Sequence, residues 1–230
     1  MEDFVRVERP FAGREDRLYA GVFDGHGGDA VSRRAAGELH VLLAAELGAG
    51  STSVTAIRGA FHTLDEGVAG EDCGSTAAIL VLEPSMITVA NAGDSHILLV
   101  SRGGAALLTT DHRLTNEQER ERVVAAGARI WGPYACLPDG SGLMCTRSLG
   151  DRGFRQIGIS PEPSIASRTL TPEDDWVVAG SDGVWDSLEP ELVGRIARKA
   201  TTARLAAERV RDAALESGTD NVAVVAIRRA

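Results

Sequence analysis

The sequence predicts an α+β domain in which helices cover layered β-sheets. Apolar residues recur at helical spacing over residues 29–47 and 53–66, and two further helices are predicted over about 190–200 and 202–217. Short runs rich in alanine, valine, leucine and isoleucine lie between the helical stretches and are typical of buried strands. Several helices combined with many antiparallel-looking strands suit a layered arrangement.

The helices have recognisable ends. Gly48 and Gly50 end the first helix, and Ser53 is a candidate N-cap of the second. A charged helix is predicted over 115–126, where Thr115 and Gln118 fit a capping box. The segment that follows this helix shows no usable pattern and is interpreted as a surface loop.

The first 17 residues are polar and irregular, and no regular element is predicted there. Pro161 and Pro163 keep the connection before the late strands out of a helix. Strands are predicted over residues 18–23, 75–82, 86–92, 96–100, 105–109, 143–147, 176–179 and 221–228.

The bulk composition narrows the classes of function. Apolar residues make up 43% of the 230, so a substantial core can form without disulfides. The net charge of −9 argues against a nucleic-acid partner. No apolar run reaches 18 residues, so neither a signal peptide nor a membrane span is expected. A cytoplasmic protein is therefore predicted, with the nucleus left open.

The cysteines Cys73, Cys136 and Cys145 are interpreted as buried thiols in a reducing compartment.

Four apolar runs are bordered by an aspartate beside small or polar residues. They place Asp24, Asp94, Asp182 and Asp220 at or near strand ends. Strands that each present an aspartate at one end can gather the carboxylates at one place. Such hard oxygen ligands suit Mg²⁺ or Mn²⁺ better than Zn²⁺. Beside Asp24, His26 could bind metal or move protons, although a plain turn is the alternative for this stretch alone.

Eight short motifs occur in an order and spacing that resemble the PP2C-type metal-dependent protein serine/threonine phosphatases, from the first residue almost to the last. These motifs are Met1-Glu2-Asp3, Asp24-Gly25-His26-Gly27-Gly28, Gly74-Ser75-Thr76, Gly93-Asp94-Ser95, Thr110-Asp111-His112, Thr146-Arg147-Ser148-Leu149-Gly150-Asp151, Ser181-Asp182-Gly183-Val184-Trp185-Asp186 and Asp220-Asn221. The resemblance implies one phosphatase domain over 1–230, folded as a four-layer αββα sandwich, with a flap over about 114–142 that touches substrate.

The resemblance also implies a site for two, or with a weaker ion three, Mg²⁺ or Mn²⁺ ions. It makes Asp24 the bridging ligand and gives one ion the Gly25 carbonyl. Glu2 and Asp3 would help to hold the metals, in part through water. The remaining implied ligands are Asp182 and Asp220 at the other ion, and Asp94 and Asp186 at the third.

The reaction implied by the resemblance is hydrolysis of phosphoserine and phosphothreonine in proteins by a water that the metals activate. His26 is the candidate general acid for the departing oxygen. His96, which stands where the family usually has arginine, is interpreted as a strand residue.

One feature departs from the family pattern. The family carries an arginine that binds the substrate phosphate four residues before the position of Glu2, and no such arginine stands in this sequence. We therefore expect weaker phosphate binding, and an unpaired strand edge that permits self-association of an otherwise monomeric chain. The alternatives are a phosphatase fold that binds phosphoproteins without turnover and a metal-stabilised structural protein.

Overall fold

The computed structural model of the protein describes residues 2–229. In chain order the strands are β1 (Phe4–Glu8), β2 (Leu18–Phe23), β3 (Gly25–His26), β4 (Gly74–Ser75), β5 (Ala77–Glu83), β6 (Met86–Ala92), β7 (His96–Ser101), β8 (Gly104–Leu107), β9 (Arg129–Trp131), β10 (Tyr134–Cys136), β11 (Gly142–Leu143), β12 (Leu149–Gly150), β13 (Ser164–Thr169), β14 (Asp174–Gly180) and β15 (Val224–Arg228). The helices are α1 (Ala30–Gly48), α2 (Ser53–Gly67), α3 (Glu117–Ala125), α4 (Asp182–Trp185), α5 (Pro190–Arg198) and α6 (Ala203–Ser217), with a 3₁₀ helix at Arg152–Ile157.

Two antiparallel sheets form the two inner layers. The first has the strand order β1-β2-β5-β6-β13, and the second has the order β15-β14-β7-β8. Helices α1 and α2 cover the outer face of the first sheet, and α5 and α6 cover that of the second. The predicted four-layer αββα sandwich is therefore confirmed.

Both faces of the central strands are buried, which explains why their sequences are nearly continuous apolar runs. In β2, Tyr19 and Phe23 pack toward α1 and α2, whereas Ala20 and Val22 face the second sheet. In β14, Val177 and Ala179 complete the layer between the sheets, while the alternate residues pack on α5 and α6. Because alternate side chains of each strand point to opposite faces of the sheet, each strand contributes to two separate hydrophobic cores.

Two predicted helix caps are wrong by one residue. Thr52, not Ser53, caps α2 and accepts a hydrogen bond from the Thr55 amide at 3.3 Å. Asn116, not Thr115, caps α3 through the Gln118 amide at 3.1 Å. In both cases the neighbouring polar residue offers the same chemistry, so local sequence does not separate the alternatives.

Three segments are more regular than predicted. Strand β1 lies within the first 17 residues, β13 follows the proline-rich connection, and β9 and β10 form a hairpin where a loop was expected. Conversely, the strand predicted over 143–147 is reduced to β11. Partners from elsewhere in the chain explain the changes at β1, which pairs with β2, and at β13, which pairs with β6.

The two sheets end in open strands on one side. Strand β1 is an edge of the first sheet and β15 is an edge of the second. Val5 and Val7 on β1 are each 47% exposed. Self-association through such an edge stays a prediction. Among residues 2–229, the helices are all too short or too polar to cross a membrane.

The segment predicted as a flap contains α3 and the strands β9 and β10, and β11 begins at its last residue. Its apolar side chains share a small cluster with Ile157 and Ile159 from outside the segment. Glu119 anchors it, because its buried carboxylate accepts hydrogen bonds from Arg147 at 2.6 Å and from the Thr146 hydroxyl at 2.7 Å, and it also pairs with Arg122. Burial alone would raise the pKa of Glu119, but these partners outweigh it and lower the pKa from 4.5 to about 2.

Glu119 is therefore expected to stabilise the attachment of α3. Its contribution is complete above the ordinary carboxyl pKa of 4.5 and is lost as pH falls through about 2. Glu119→Ala leaves Arg147 without its buried partner and should lower the free energy of unfolding by roughly 3–5 kcal/mol. Urea denaturation at pH 7 measures this loss. Glu117→Ala, on the exposed side of the same helix, is the control; equal stability of the two variants would contradict the anchoring role.

Candidate active site

The predicted site residues meet at one end of the sandwich. Strand β2 leads into Asp24, the β6–β7 turn carries Asp94, and β14 leads into Asp182, so both sheets deliver carboxylates to the same end. A cavity of about 340 Å³ lies there. Six of the predicted ligands line it, namely Glu2, Asp24, Gly25, Asp94, Asp182 and Asp220, together with His26.

A larger cavity of about 540 Å³ lies between α2 and residues 160–163. Its charged lining includes Arg58 and Glu162, which form an ion pair with each other at 2.7 Å. The cavity at Asp24 is lined instead by several carboxylates that repel one another. Negative charge that the protein does not fully neutralise is typical of a ligand-binding site, so this cavity is the candidate active site.

Asp24 occupies the centre of the cluster. Burial is the largest cause that raises its pKa, followed by the nearby charges of Asp182 and Asp3, and together they raise it from 3.8 to about 10. The Asp24 carbonyl accepts a hydrogen bond from the Thr76 amide at 2.8 Å, which fixes the backbone at this point. The side chain of Asp24 is thereby held where the protein, without a bound cation, disfavours the ionised form of the carboxyl group.

The pKa values of two neighbouring aspartates, Asp182 and Asp3, are raised in the same way. Burial and then Asp94 raise the pKa of Asp182 to about 6, although Arg113 opposes them. Burial also raises the pKa of Asp3, whose Oδ2 atom is buried and accepts no hydrogen bond among the described residues. Asp220 is exposed at the rim and accepts from the Asn221 amide at 2.7 Å.

At Gly25, beside Asp24, the backbone lies very close to other parts of the chain. A side chain at this position would place its Cβ atom 2.5 Å from Ser32 Oγ and 2.8 Å from the Glu2 carbonyl oxygen. Ser32 Oγ also donates a hydrogen bond to that carbonyl at 2.6 Å, which ties Glu2 to α1. Only glycine therefore allows the start of the chain to lie against the Asp24 turn.

Asp94 and Asp186 lie on the other side of the cluster, where they bind an arginine. Asp94 Oδ2 accepts from Arg113 Nε at 2.6 Å, and Asp186 Oδ1 accepts from Nη1 at 2.7 Å. Asp186 faces this point because the short helix α4 puts it one turn after Asp182. The four-residue spacing thus brings the carboxylates of Asp182 and Asp186 to the guanidinium of Arg113, whereas their binding of a divalent ion stays a prediction.

His26 follows Asp24 on β3 and is oriented by a residue from the far side of the site. Its Nε2 atom lies 2.7 Å from Asp151 Oδ2, which also accepts from the Ser148 hydroxyl at 2.6 Å. Burial lowers the pKa of His26, but Asp151 outweighs it and the net pKa lies above 6.5. Gly74 leaves room for this pair, because a Cβ atom there would lie 2.0 Å from Asp151 Oδ2.

The donor set fits hard divalent cations. Carboxylate side chains and Gly25 line one cavity, and Asp3 nearby carries a buried oxygen without a hydrogen-bond partner among the described residues. Within residues 2–229, no three of the His, Cys, Asp and Glu side chains are already grouped as a metal would require. Asp94, Asp182 and Asp186 are instead drawn toward Arg113. The chemistry of the ligands is appropriate, and their final arrangement depends on the cation.

Sequence reasoning assigned no role to Arg113 or Asp151. Arg113 follows the quoted Asp111-His112 pair, and Asp151 ends the quoted motif over 146–151, so their positions were visible but their partners were not. Two further sequence interpretations are confirmed. His96 is a buried residue of β7 that contacts Thr109, and the three cysteines are free and buried.

Comparisons with known proteins give a consistent relationship. The family model of Protein phosphatase 2C matches residues 1–223. A probable protein phosphatase 2C from Oryza sativa is 32% identical over 255 residues, covering 90% of this chain and 62% of its own length. A protein phosphatase 2C homolog from Saccharomyces cerevisiae is 30% identical over 251 residues, covering 99% of this chain and 87% of its own length.

The fold agrees with a solved structure as well. The crystal structure of a serine-threonine phosphatase 2C from Toxoplasma gondii superimposes with a TM-score of 0.83, covering 99% of this chain and 90% of that one. At 20% identity this likeness concerns the fold alone. Because the family model spans nearly the whole sequence and the carboxylate cluster lies within it, the chain belongs to the protein phosphatase 2C family.

Proposed function

We propose that this chain is a Mg²⁺- or Mn²⁺-dependent phosphatase that hydrolyses phosphoserine and phosphothreonine monoesters in proteins. The observation that carries the proposal is the half-buried carboxylate cluster around Asp24, whose negative charge is opposed by desolvation and by neighbouring acids. A divalent cation relieves that repulsion. It also presents positive charge to a phosphate, which an acidic cavity would otherwise repel.

Asp24 would bridge two ions, with the Gly25 carbonyl and Glu2 on one side and Asp182 and Asp220 on the other. Asp3 supports the cluster from behind with its free Oδ2 atom. When bound, such a pair of ions supplies Lewis acidity, neutralises phosphate charge and lowers the pKa of a bound water. The protein's own part is to hold the carboxylates rigidly at the ends of two packed sheets.

His26 is proposed to protonate the leaving oxygen of serine or threonine. It lines the cavity beside Asp24, and Asp151 fixes its Nε2 atom at 2.7 Å. The hydrogen bond to Asp151 favours the protonated ring, which is the form that a general acid needs. Asp151 is thus a positioning residue that acts through His26.

A binding module without turnover is the second candidate, because Asp94, Asp182 and Asp186 contact Arg113 in place of a metal ion. The complete set of carboxylates and the oriented His26 support catalysis instead. Phosphate release from a phosphothreonine peptide separates the two functions. Metal-dependent release is expected, and binding of the peptide without release, with either metal, would favour the second candidate.

Removing a central carboxylate should abolish the activity. Asp24→Asn and Asp182→Asn should each lower kcat for p-nitrophenyl phosphate in Mn²⁺ by at least about 100-fold, because each takes negative charge from a site that two ions share. EDTA should abolish the activity of the unaltered protein. The control is Asp212→Asn, an exposed aspartate on α6. Full activity of Asp24→Asn in Mn²⁺ would contradict the assignment.

Replacing His26 should affect substrates according to their leaving group. His26→Ala should reduce kcat strongly for a phosphothreonine peptide and little for p-nitrophenyl phosphate, whose phenolate leaves without a proton. Asp151→Asn should show the same selectivity with a smaller loss, because it disturbs the ring without removing it.

His62→Ala is the matched control, since this histidine is 74% exposed on α2 and does not line the candidate active site. Equal losses of His26→Ala on both substrates would instead indicate a structural histidine.

A further inference from the structure

Arg113 is enclosed by acidic side chains of the candidate site. Besides its hydrogen bonds to Asp94 and Asp186 Oδ1, its Nη2 atom donates to Asp182 Oδ2 at 3.1 Å and to Asp186 Oδ2 at 3.0 Å. One guanidinium therefore engages three carboxylates, two of them at the two ends of α4, where Asp182 is the first residue and Asp186 follows the last. Its own side chain is only 18% exposed.

The position of Arg113 is fixed by its backbone. It forms an isolated β-bridge with Cys145, and the preceding His112 accepts a hydrogen bond from the Thr146 amide through its carbonyl oxygen, at 2.7 Å. The buried His112 ring is held as well, with Nδ1 accepting from the Gly93 amide at 3.2 Å and Nε2 lying 2.8 Å from Ser164 Oγ. The guanidinium thus extends from a rigid point into the cluster.

Two of the three carboxylates that Arg113 engages, Asp94 and Asp186, are those expected to hold a third, weaker divalent ion. A cation placed between them would compete with Arg113 for Asp94 Oδ2 and for both carboxylate oxygens of Asp186, and would lie within a few ångströms of a positive guanidinium. Both the loss of ligands and the repulsion between like charges make the two occupants mutually exclusive.

We propose that Arg113 is a resident cation of this site, which takes the place of a third divalent ion and limits the chain to two bound metals. This inference rests on the proposed metal site at Asp24. A third ion binds only if it displaces Arg113 from Asp94 and Asp186. Arg113 also ties the exposed Asp186 to the buried Asp94, so it keeps α4 in place before the metals bind.

Calorimetric titration of chelator-treated, dialysed protein with MnCl₂, with bound manganese counted by atomic absorption, tests the proposal. The unaltered chain should bind two ions, and a third at least about tenfold more weakly than does Arg113→Gln, because the variant removes one positive charge from the three carboxylates. Without metal, Arg113→Gln should have a lower Tm than the unaltered chain, and Mn²⁺ should remove that difference.

Two further variants make the result specific. Arg113→Lys keeps the charge but cannot engage three carboxylates at once, so its third affinity should lie between the other two; it also serves if Arg113→Gln does not fold. Asp94→Asn added to Arg113→Gln should abolish the third ion. Arg102→Gln, at an exposed arginine of the β7–β8 turn, is the control and should match the unaltered chain.

Identical manganese counts and affinities in the unaltered chain, Arg113→Gln and Arg113→Lys would overturn the inference and leave the two-metal phosphatase proposal standing. Three equally tight ions in the unaltered chain would overturn it as well. If none of the proteins bound Mn²⁺, the metal site itself would be wrong, and the proposed function would fail together with the role of Arg113.

Discussion

Repulsion among carboxylates at one end of two packed sheets governs the rest of this structure. Asp24 cannot ionise freely there, because burial and the charges of Asp182 and Asp3 oppose it. An isolated buried charge costs several kcal/mol, so an arrangement of this kind requires compensation of its charge. The phosphatase proposal identifies the compensation as divalent metal, and Arg113 supplies part of it from within the chain.

The sandwich is well suited to hold these groups. The strands that lead into Asp24 and Asp182 are buried on both faces and pack against each other through Val22, Val177 and neighbouring residues. Close-packed strands move little, so the carboxylates cannot relax by moving apart. The backbone contributes at Gly25, where the absence of a side chain lets Glu2 approach. Electrostatic strain at the site is therefore balanced by apolar packing elsewhere.

Much of this could be predicted because the signal is local. An apolar run that ends in aspartate predicts both a strand and the end of that strand that carries a site residue. Asp24, Asp94 and Asp182 could be identified as candidate site residues from this pattern. Arg113 and Asp151 could not be assigned roles, because their partners lie far away in the chain and only the fold brings them together. The same holds for β1 and β13, which mix apolar with polar residues and become strands through pairing with β2 and β6.

Anomalous diffraction from crystals grown with MnCl₂ tests the central claim most directly, because it locates each ion without assuming a mechanism. The account predicts two manganese peaks in the cavity bounded by Asp24, Gly25, Asp182 and Asp220, with the Arg113 guanidinium still bound to Asp94 and Asp186. A cavity without manganese, or manganese bound only at other acidic residues, would contradict it.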